Sequence, residues 1–348
     1  MLGPGKRAAM LQTRIALDVM GGDSAPEAVL RGALVACSPL GKLRMANERI
    51  LLVGDERTVR EKLEDLGGDP GFAFRHASQV IGMGEAPATA LRSKPDSSIA
   101  SMIKALAEGQ AGAAVSMGNT GAVVAAATLG LGTLSGVRRP GISVTLDLTG
   151  HPVTFIDMGA NTSPKPEHLY QYGVMASVYM QDCLGKATPR VALLNIGEEE
   201  GKGTDLHKEA YQRMKASPLA FVGNLEGNDL FGDKADVVVV DGFTGNVMLK
   251  LMEGFAAFML KSSMIELARR GVQGATEALA PVRRSVDYAE YGGALLLGVS
   301  GVITIGHGRS DENAVANAIG LAARALDASV NEDIVQGLEK AAKEQPAS

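Results

Sequence analysis

Short apolar runs recur along the chain, and nearly every one ends in a loop rich in glycine, asparagine, serine or threonine before a helical pattern begins. Runs read as strands are 14–19, 49–53, 72–75, 113–117, 142–148, 152–157, 191–196, 220–222, 237–240 and 302–305. Helical patterns cover 56–66, 99–107, 120–131, 166–184, 311–327 and 334–342. Ser24 with Glu27 three residues later forms the pattern of a capping box, predicting a helix from there to about Ala36. Strands alternating with helices predict a largely parallel sheet covered on both faces, because parallel neighbours need a crossover connection. Thr149-Gly150 between two runs predicts one antiparallel hairpin. From Thr244 to about Asp287 no strand pattern occurs, and two helices joined near Gly271–Gly274 are expected. With no internal repeat or linker, we expect a single α/β/α domain over 14–348, with a helical hairpin at 247–287 and a frayed extension at 1–13.

Composition excludes several classes. The 348 residues are 46% hydrophobic and 21% charged, enough for a sizeable core. A net charge of −5, 4% aromatics and no tryptophan give neither the field nor the stacking surface for nucleic acid. Cys37 and Cys183 form no disulfide framework, and the five histidines show no metal-ligand spacing with them. Met1–Thr13 lacks the apolar stretch of a secretory signal, and no run is long enough to span a membrane. A cytoplasmic location is expected.

Ligands of such sheets bind beyond the carboxyl ends of the strands. After Met117 comes Gly118-Asn119-Thr120-Gly121-Ala122, where small residues and a helix start can receive an anion, or where Asn119 or Thr120 caps the helix. After Asp157 comes Gly159-Ala160-Asn161-Thr162-Ser163-Pro164-Lys165, in which Lys165 is either a phosphate charge or a solvated lysine. Gly306-His307-Gly308-Arg309-Ser310-Asp311 brings a guanidinium able to grip phosphate, or a surface arginine beside a capping serine. Asp18, Asp23 and Asp157 at strand ends orient a cation or cap a turn. The stretch Gly197–Thr204 is one residue too short for a phosphate-binding P-loop, with Gly203 where a magnesium-binding hydroxyl belongs. A nucleophile elbow and a dinucleotide fingerprint are both absent. What remains suits direct attack by phosphate on a bound acyl group, with positioning and oxyanion stabilisation supplied by the protein.

Taken in order, Asp18-Val19-Met20-Gly21-Gly22-Asp23, Met117–Ala122, Asp157–Asn161, Asn195-Ile196-Gly197-Glu198-Glu199, Asn224-Leu225-Glu226-Gly227, Asp241–Asn246, Tyr291–Ala294 and Gly306-His307-Gly308 resemble the bacterial phosphate acyltransferase family of phospholipid synthesis. The match runs from about Ile15 to Ala328. The resemblance implies a three-layer, Rossmann-like α/β fold similar to phosphate acetyltransferases. It implies reversible transfer of a long-chain acyl group from acyl carrier protein to inorganic phosphate, by a homodimer without cofactor or metal. The acyl-phosphate would go to a membrane enzyme that acylates glycerol 3-phosphate. Rival readings are an acyl-CoA-dependent relative and a non-catalytic acyl-binding regulator at the membrane surface. Within these motifs Asn119, Asn161 and His307 are the catalytic candidates, His307 serving either to protonate the departing thiolate or to tie two loops. Thr120, Lys165, Arg309 and Ser310 are assigned to phosphate, and Asp18, Lys202 and Asn246 to substrate.

The hairpin carries a separate expectation. Its first helix can bury an apolar face, most simply in a symmetric dimer. At its far end apolar side chains, Leu267 and Leu279 among them, are flanked by Arg269, Arg270, Arg283 and Arg284. That combination suits peripheral docking on an anionic membrane surface.

Overall fold

A computed structural model describes residues 13–148, 150–285 and 288–344. The extension up to Gln12, Thr149 of the expected turn, and Val286 and Asp287 at the foot of the hairpin lie outside the described residues. In chain order the strands are β1 (Ile15–Asp18), β2 (Ile50–Gly54), β3 (Ala73–His76), β4 (Ala113–Ser116), β5 (Gly141–Leu148), β6 (His151–Ile156), β7 (Val191–Leu194), β8 (Phe221–Leu225), β9 (Val237–Val239), β10 (Ala294–Leu297) and β11 (Val302–Ile305). The helices are α1 (Glu27–Cys37), α2 (Glu56–Asp65), α3 (Pro87–Ser93), α4 (Ser98–Ala107), α5 (Thr120–Leu131), α6 (Pro166–Leu184), α7 (Asp205–Lys215), α8 (Gly242–Arg269), α9 (Ala275–Ser285), α10 (Glu312–Asp327) and α11 (Val330–Glu344).

These elements divide into two compact units, one drawn from Met1–Pro140 and Tyr291–Val335, the other from Gly141–Glu290 and Gln336–Ser348. In the first unit the strand order is β3-β2-β1-β4-β11-β10, parallel throughout except for β10 against β11. In the second it is β5-β6-β9-β7-β8, with β5 and β6 the expected antiparallel pair. Successive strand residues point to opposite faces, and every residue of β1, β4, β11, β7 and β9 is buried. Both faces are therefore covered, the three-layer α/β arrangement expected of a parallel sheet. Helices α1 and α10 approach so closely that a side chain at Gly32 would overlap Val315.

The sequence reading differs from the structure at a few places. No capping box opens α1. The helix starts at Glu27 with Pro26 as its N-cap and no side-chain cap. The preceding turn is held elsewhere, because the Asp23 amide donates to the Gly308 carbonyl at 2.8 Å. Strand β10 and helices α3 and α7 were not read from the sequence. In α7 only Ala210 and Met214 are buried, too few to show a helical stripe.

At the amino ends of β7 and β9 Asp236 is 1% exposed. Arg190 donates to it from the backbone at 2.7 Å and from Nε and a terminal nitrogen at 3.0 Å each, and Lys186 Nζ lies 3.0 Å away. Burial by itself would raise this carboxyl. The hydrogen bonds from Arg190 and Lys186 outweigh burial and hold it at about 2. A carboxyl depressed in the folded state stabilises the fold above its unfolded value of about 3.9, and that contribution disappears as pH falls through about 2. We expect Asp236→Asn to cost about 2 kcal/mol at neutral pH, at roughly 1.4 kcal/mol per pKa unit. Denaturant titrations from pH 7 to pH 2 should show the wild type and variant converging below pH 4. A constant difference across that range would place the stabilisation elsewhere.

Candidate active site

The first unit brings three loops together because β1, β4 and β11 are consecutive in its sheet. Gly306 N–H donates to the Ser116 carbonyl at 2.9 Å, and Asp23 N–H to that of Gly308 at 2.8 Å. Beneath them Asp18 is fully buried. Its carboxylate accepts from Ser116 Oγ at 2.7 Å and from Met20 N–H at 3.2 Å, and Ser116 Oγ in turn accepts from Gly118 N–H at 3.0 Å. Burial pushes the Asp18 carboxyl up, against the hydrogen bonds from Ser116, Ser98, Met20 and Gly21. A Cβ at Gly21 would stand 2.6 Å from that carboxylate and 2.7 Å from Gly118 N, so only glycine fits. Expected as a substrate contact, Asp18 instead has no surface to offer one. It is a positioning residue.

Asn119 is also engaged within the protein. Its Oδ1 caps α5 by accepting from Ala122 N–H at 3.0 Å. Its Nδ2 donates to the carbonyls of Gly82, Met83 and Glu85 at 3.3, 3.1 and 3.0 Å. No side-chain hydrogen is left for phosphate or a thioester oxygen, and the donors remaining here are the first backbone amides of α5. Thr120 at that helix start is exposed. Arg309 is exposed, Ser310 half-buried, and neither side chain has a hydrogen-bond partner among the described residues. His307 Nδ1 accepts from the Arg309 amide at 3.2 Å. In the neutral imidazole this places the proton on Nε2, which is then a donor.

The second unit repeats the theme with a different outcome. Asp157 is fully buried after β6. Its carboxylate accepts from the amides of Ile142, Gly159, Ala160 and Asn161 at 3.0, 3.0, 2.8 and 2.7 Å. Burial raises this carboxyl, with those amides opposing. The Gly159-Ala160-Asn161 amides form an anion-binding turn whose anion is the protein's own side chain. Asn161 Nδ2 donates to Tyr172 Oη at 2.6 Å and its carbonyl accepts from Gly242 N–H at 2.9 Å. Asn161, expected to donate to the substrate, therefore holds the 157–161 and 241–246 loops together. Neither Asp157 nor Tyr172 was assigned this role from the sequence. The only signal was an aspartate at a strand end, which serves equally as a turn cap.

Three other candidates on this unit reach solvent. Lys165 is the exposed N-cap of α6, its amide donating to His168 Nδ1 at 3.0 Å and its ammonium unpartnered among the described residues. Asn246 is exposed in the first turn of α8, beside Gly159. Lys202 is exposed and pairs with Glu199 at 3.7 Å. Among the described residues no three His, Cys, Asp or Glu side chains could hold a metal ion.

The hairpin is two helices, α8 and α9, with Gly271 and Gly274 between them in the left-handed region that favours glycine. Of α8 only Gly242 and Gly245 are buried. Phe243, Val247, Leu251, Phe255 and Phe258 are all exposed, a stripe with helical spacing. Leu267 and Leu279 are half-buried, Arg269 is exposed, and Arg270 pairs with Glu266 at 2.7 Å. The side chains of Arg283 and Arg284 lie outside the described residues. No described helix is long and apolar enough to cross a membrane.

Comparison with known proteins agrees with this architecture. The family model described as fatty acid synthesis protein matches residues 13–333. A phosphate acyltransferase of Nitratidesulfovibrio vulgaris (strain DP4) is 43% identical over 337 residues, covering 94% of this chain and 96% of the relative. One of Heliobacterium modesticaldum is 45% identical over 318 residues, covering 89% and 92%. Among solved structures, a phosphotransacetylase from Streptococcus pyogenes superposes with a TM-score of 0.60 at 17% identity, covering 93% of this chain and 98% of that one. A branched-chain phosphotransacylase from Enterococcus faecalis V583 gives 0.57 at 16%, covering 90% and 99%. At such identities the structures speak for the fold alone, and it is the fold expected from the sequence. The family model and the relatives, each spanning most of the chain, establish that it belongs to the phosphate acyltransferase family of fatty acid synthesis proteins and is an acyltransferase.

Proposed function

We propose that the protein transfers a long-chain acyl group from acyl carrier protein to inorganic phosphate, supplying acyl-phosphate to a membrane enzyme that acylates glycerol 3-phosphate. The observation that carries this reading is the set of unengaged donors on the first unit: the start of α5, Arg309, Ser310 and His307 Nε2–H. Hydrogen phosphate sits against Arg309 and Ser310, and one of its oxygens attacks the thioester carbonyl. The oxyanion that develops is stabilised by the first amides of α5. As the C–O bond forms and the C–S bond breaks, the proton that phosphate gives up is delivered to the leaving sulfur, to which His307 Nε2–H donates a hydrogen bond. The balance is thioester plus hydrogen phosphate to acyl-phosphate plus thiol, with no covalent enzyme intermediate. The second unit, taken by itself, offers Lys165 as a proposed phosphate-binding charge and Lys202 and Asn246 as proposed substrate contacts.

The hairpin is proposed to serve two purposes. An apolar stripe along α8 with almost nothing buried beneath it fits the same stripe of a second copy, giving a homodimer. Beyond the stem, Met264, Ile265 and Val272 are exposed beside Arg269 and Arg270, a composition suited to shallow docking on an anionic bilayer. Docking there would release an insoluble product where it is consumed, in a protein otherwise located in the cytoplasm.

The reaction is tested with purified protein, palmitoyl-acyl carrier protein and phosphate, trapping acyl-phosphate with hydroxylamine and running palmitoyl-CoA alongside. Turnover without metal or nucleotide is expected, faster with the carrier protein. A requirement for NAD, or a stable acyl-enzyme, overturns the reading. Arg309→Ala, His307→Ala and Lys165→Ala should each lower kcat/KM on the order of 100-fold with an unchanged circular dichroism spectrum. A near-normal rate in any one removes that residue from the site. For the hairpin, Phe255→Glu should shift the protein from dimer to monomer in analytical ultracentrifugation. Leu267→Glu with Leu279→Glu should abolish salt-sensitive binding to phosphatidylglycerol vesicles while leaving turnover intact. Vesicle binding equal to wild type would make the distal hairpin purely structural.

A further inference from the structure

A segment that no motif singled out, Gly82–Pro87, lies across the loops assigned to phosphate. Asn119 Nδ2 gathers three of its carbonyls, those of Gly82, Met83 and Glu85. Glu85 closes the segment on itself, accepting from Gly82 N–H at 2.6 Å and pairing with Lys94 Nζ at 2.6 Å. The Lys94 hydrogen bond, chief among the influences on Glu85, holds its carboxyl below the usual range, so the segment brings no uncompensated negative charge towards phosphate. At one end, Met83 Cε lies 2.8 Å from where a Cβ on Gly308 would stand. At the other, Pro87 Cγ lies 2.6 Å from where a Cβ on Gly121 would stand. The segment thus touches both the His307–Arg309 loop and the start of α5, and its two contacts are apolar.

We infer that Met83 is a specificity residue for the acyl group, its side chain receiving the first methylenes next to the reacting carbonyl. This rests on the reading of these loops as the phosphate site. An acyl thioester joins a carbonyl that needs hydrogen-bond donors to a chain that needs an apolar surface, one bond apart. The α5 amides supply the donors and Met83 an apolar surface, on loops held together through Asn119. Met83 is 44% exposed although its tip lies against the buried Gly308, so part of its apolar surface remains uncovered. A thioether adapts its shape to chains of different substitution, which suits a surface that must pass many acyl groups. Asn119 is the positioning residue that sets where this side chain lies.

The test is calorimetric titration of the full protein with decanoyl-pantetheine, paired with KM for phosphate in the trapping assay. Met83→Leu should bind within about twofold of wild type. Met83→Ala should bind roughly tenfold more weakly, equivalent to about 1.4 kcal/mol, and Met83→Asp more weakly still. KM for phosphate should stay unchanged in the Leu and Ala variants, and thermal melts should report folded protein in all three. Wild-type affinity in Met83→Asp, no binding by the wild type, or an equal rise in KM for phosphate would overturn the inference. Should the wild type form no acyl-phosphate and yet bind the thioester in a Met83-dependent way, the proposed reaction falls and the acyl contact stands.

Discussion

A carboxylate removed from water must be given hydrogen bonds by the chain around it, and two such groups shape the loops of this protein. Asp18 and Asp157 are each fully buried at the carboxyl end of a strand, one in each unit. Each gathers the backbone and hydroxyl donors of its neighbouring loops. The loops must then pass so close that side chains are excluded: Gly21 lies against Asp18, and a Cβ on Gly242 would stand 2.8 Å from Asp157 Oδ2. A side chain at Gly245 would run into the Asp157 carbonyl. The course of these loops, and so the direction of every donor on them, follows from satisfying two buried charges.

The same demand divides the labour between the units. In the second, the amides after β6 converge on Asp157 itself and have nothing left for a ligand. In the first, Asp18 is satisfied from below by Ser116 and Met20, so the start of α5 and the His307–Ser310 loop keep their donors. In the proposed reading, an anion would be drawn to the first set of loops by what those loops leave unsatisfied. Asn119 and Asn161 each tie together loops of their own unit, and a substitution at either would act by letting a loop move.

The hairpin follows a different rule. Helix α8 buries nothing beyond its first turn and presents aromatic and aliphatic side chains to solvent. Helical propensity does not by itself sustain such an element, since most helical stability in proteins comes from packing one face. The stripe is the surface that the proposed dimer would cover. The proposed reading puts substrate chemistry on the strand-end loops and association on the hairpin, within one chain.

Much of this was legible in the residues because it is local. Apolar alternation, a glycine or asparagine after a strand and proline at a first helical turn are read over a few positions, and they placed β1, β4, α5, α6, the β5–β6 pair and the helices of the hairpin. The ordered motifs likewise pointed to the family. Elements with little pattern of their own, such as α7 with two buried residues, escaped notice. What the sequence could not decide was which polar groups were already taken. Asn119 meets carbonyls 34 to 37 positions away, and Asp18 meets Ser116 at a separation of 98. A side-chain amide looks the same in a sequence whether it faces a ligand or a neighbouring loop. Only the folded chain brings the competing acceptors within 3 Å or so of it, and hydrogen bonding is decided at that range.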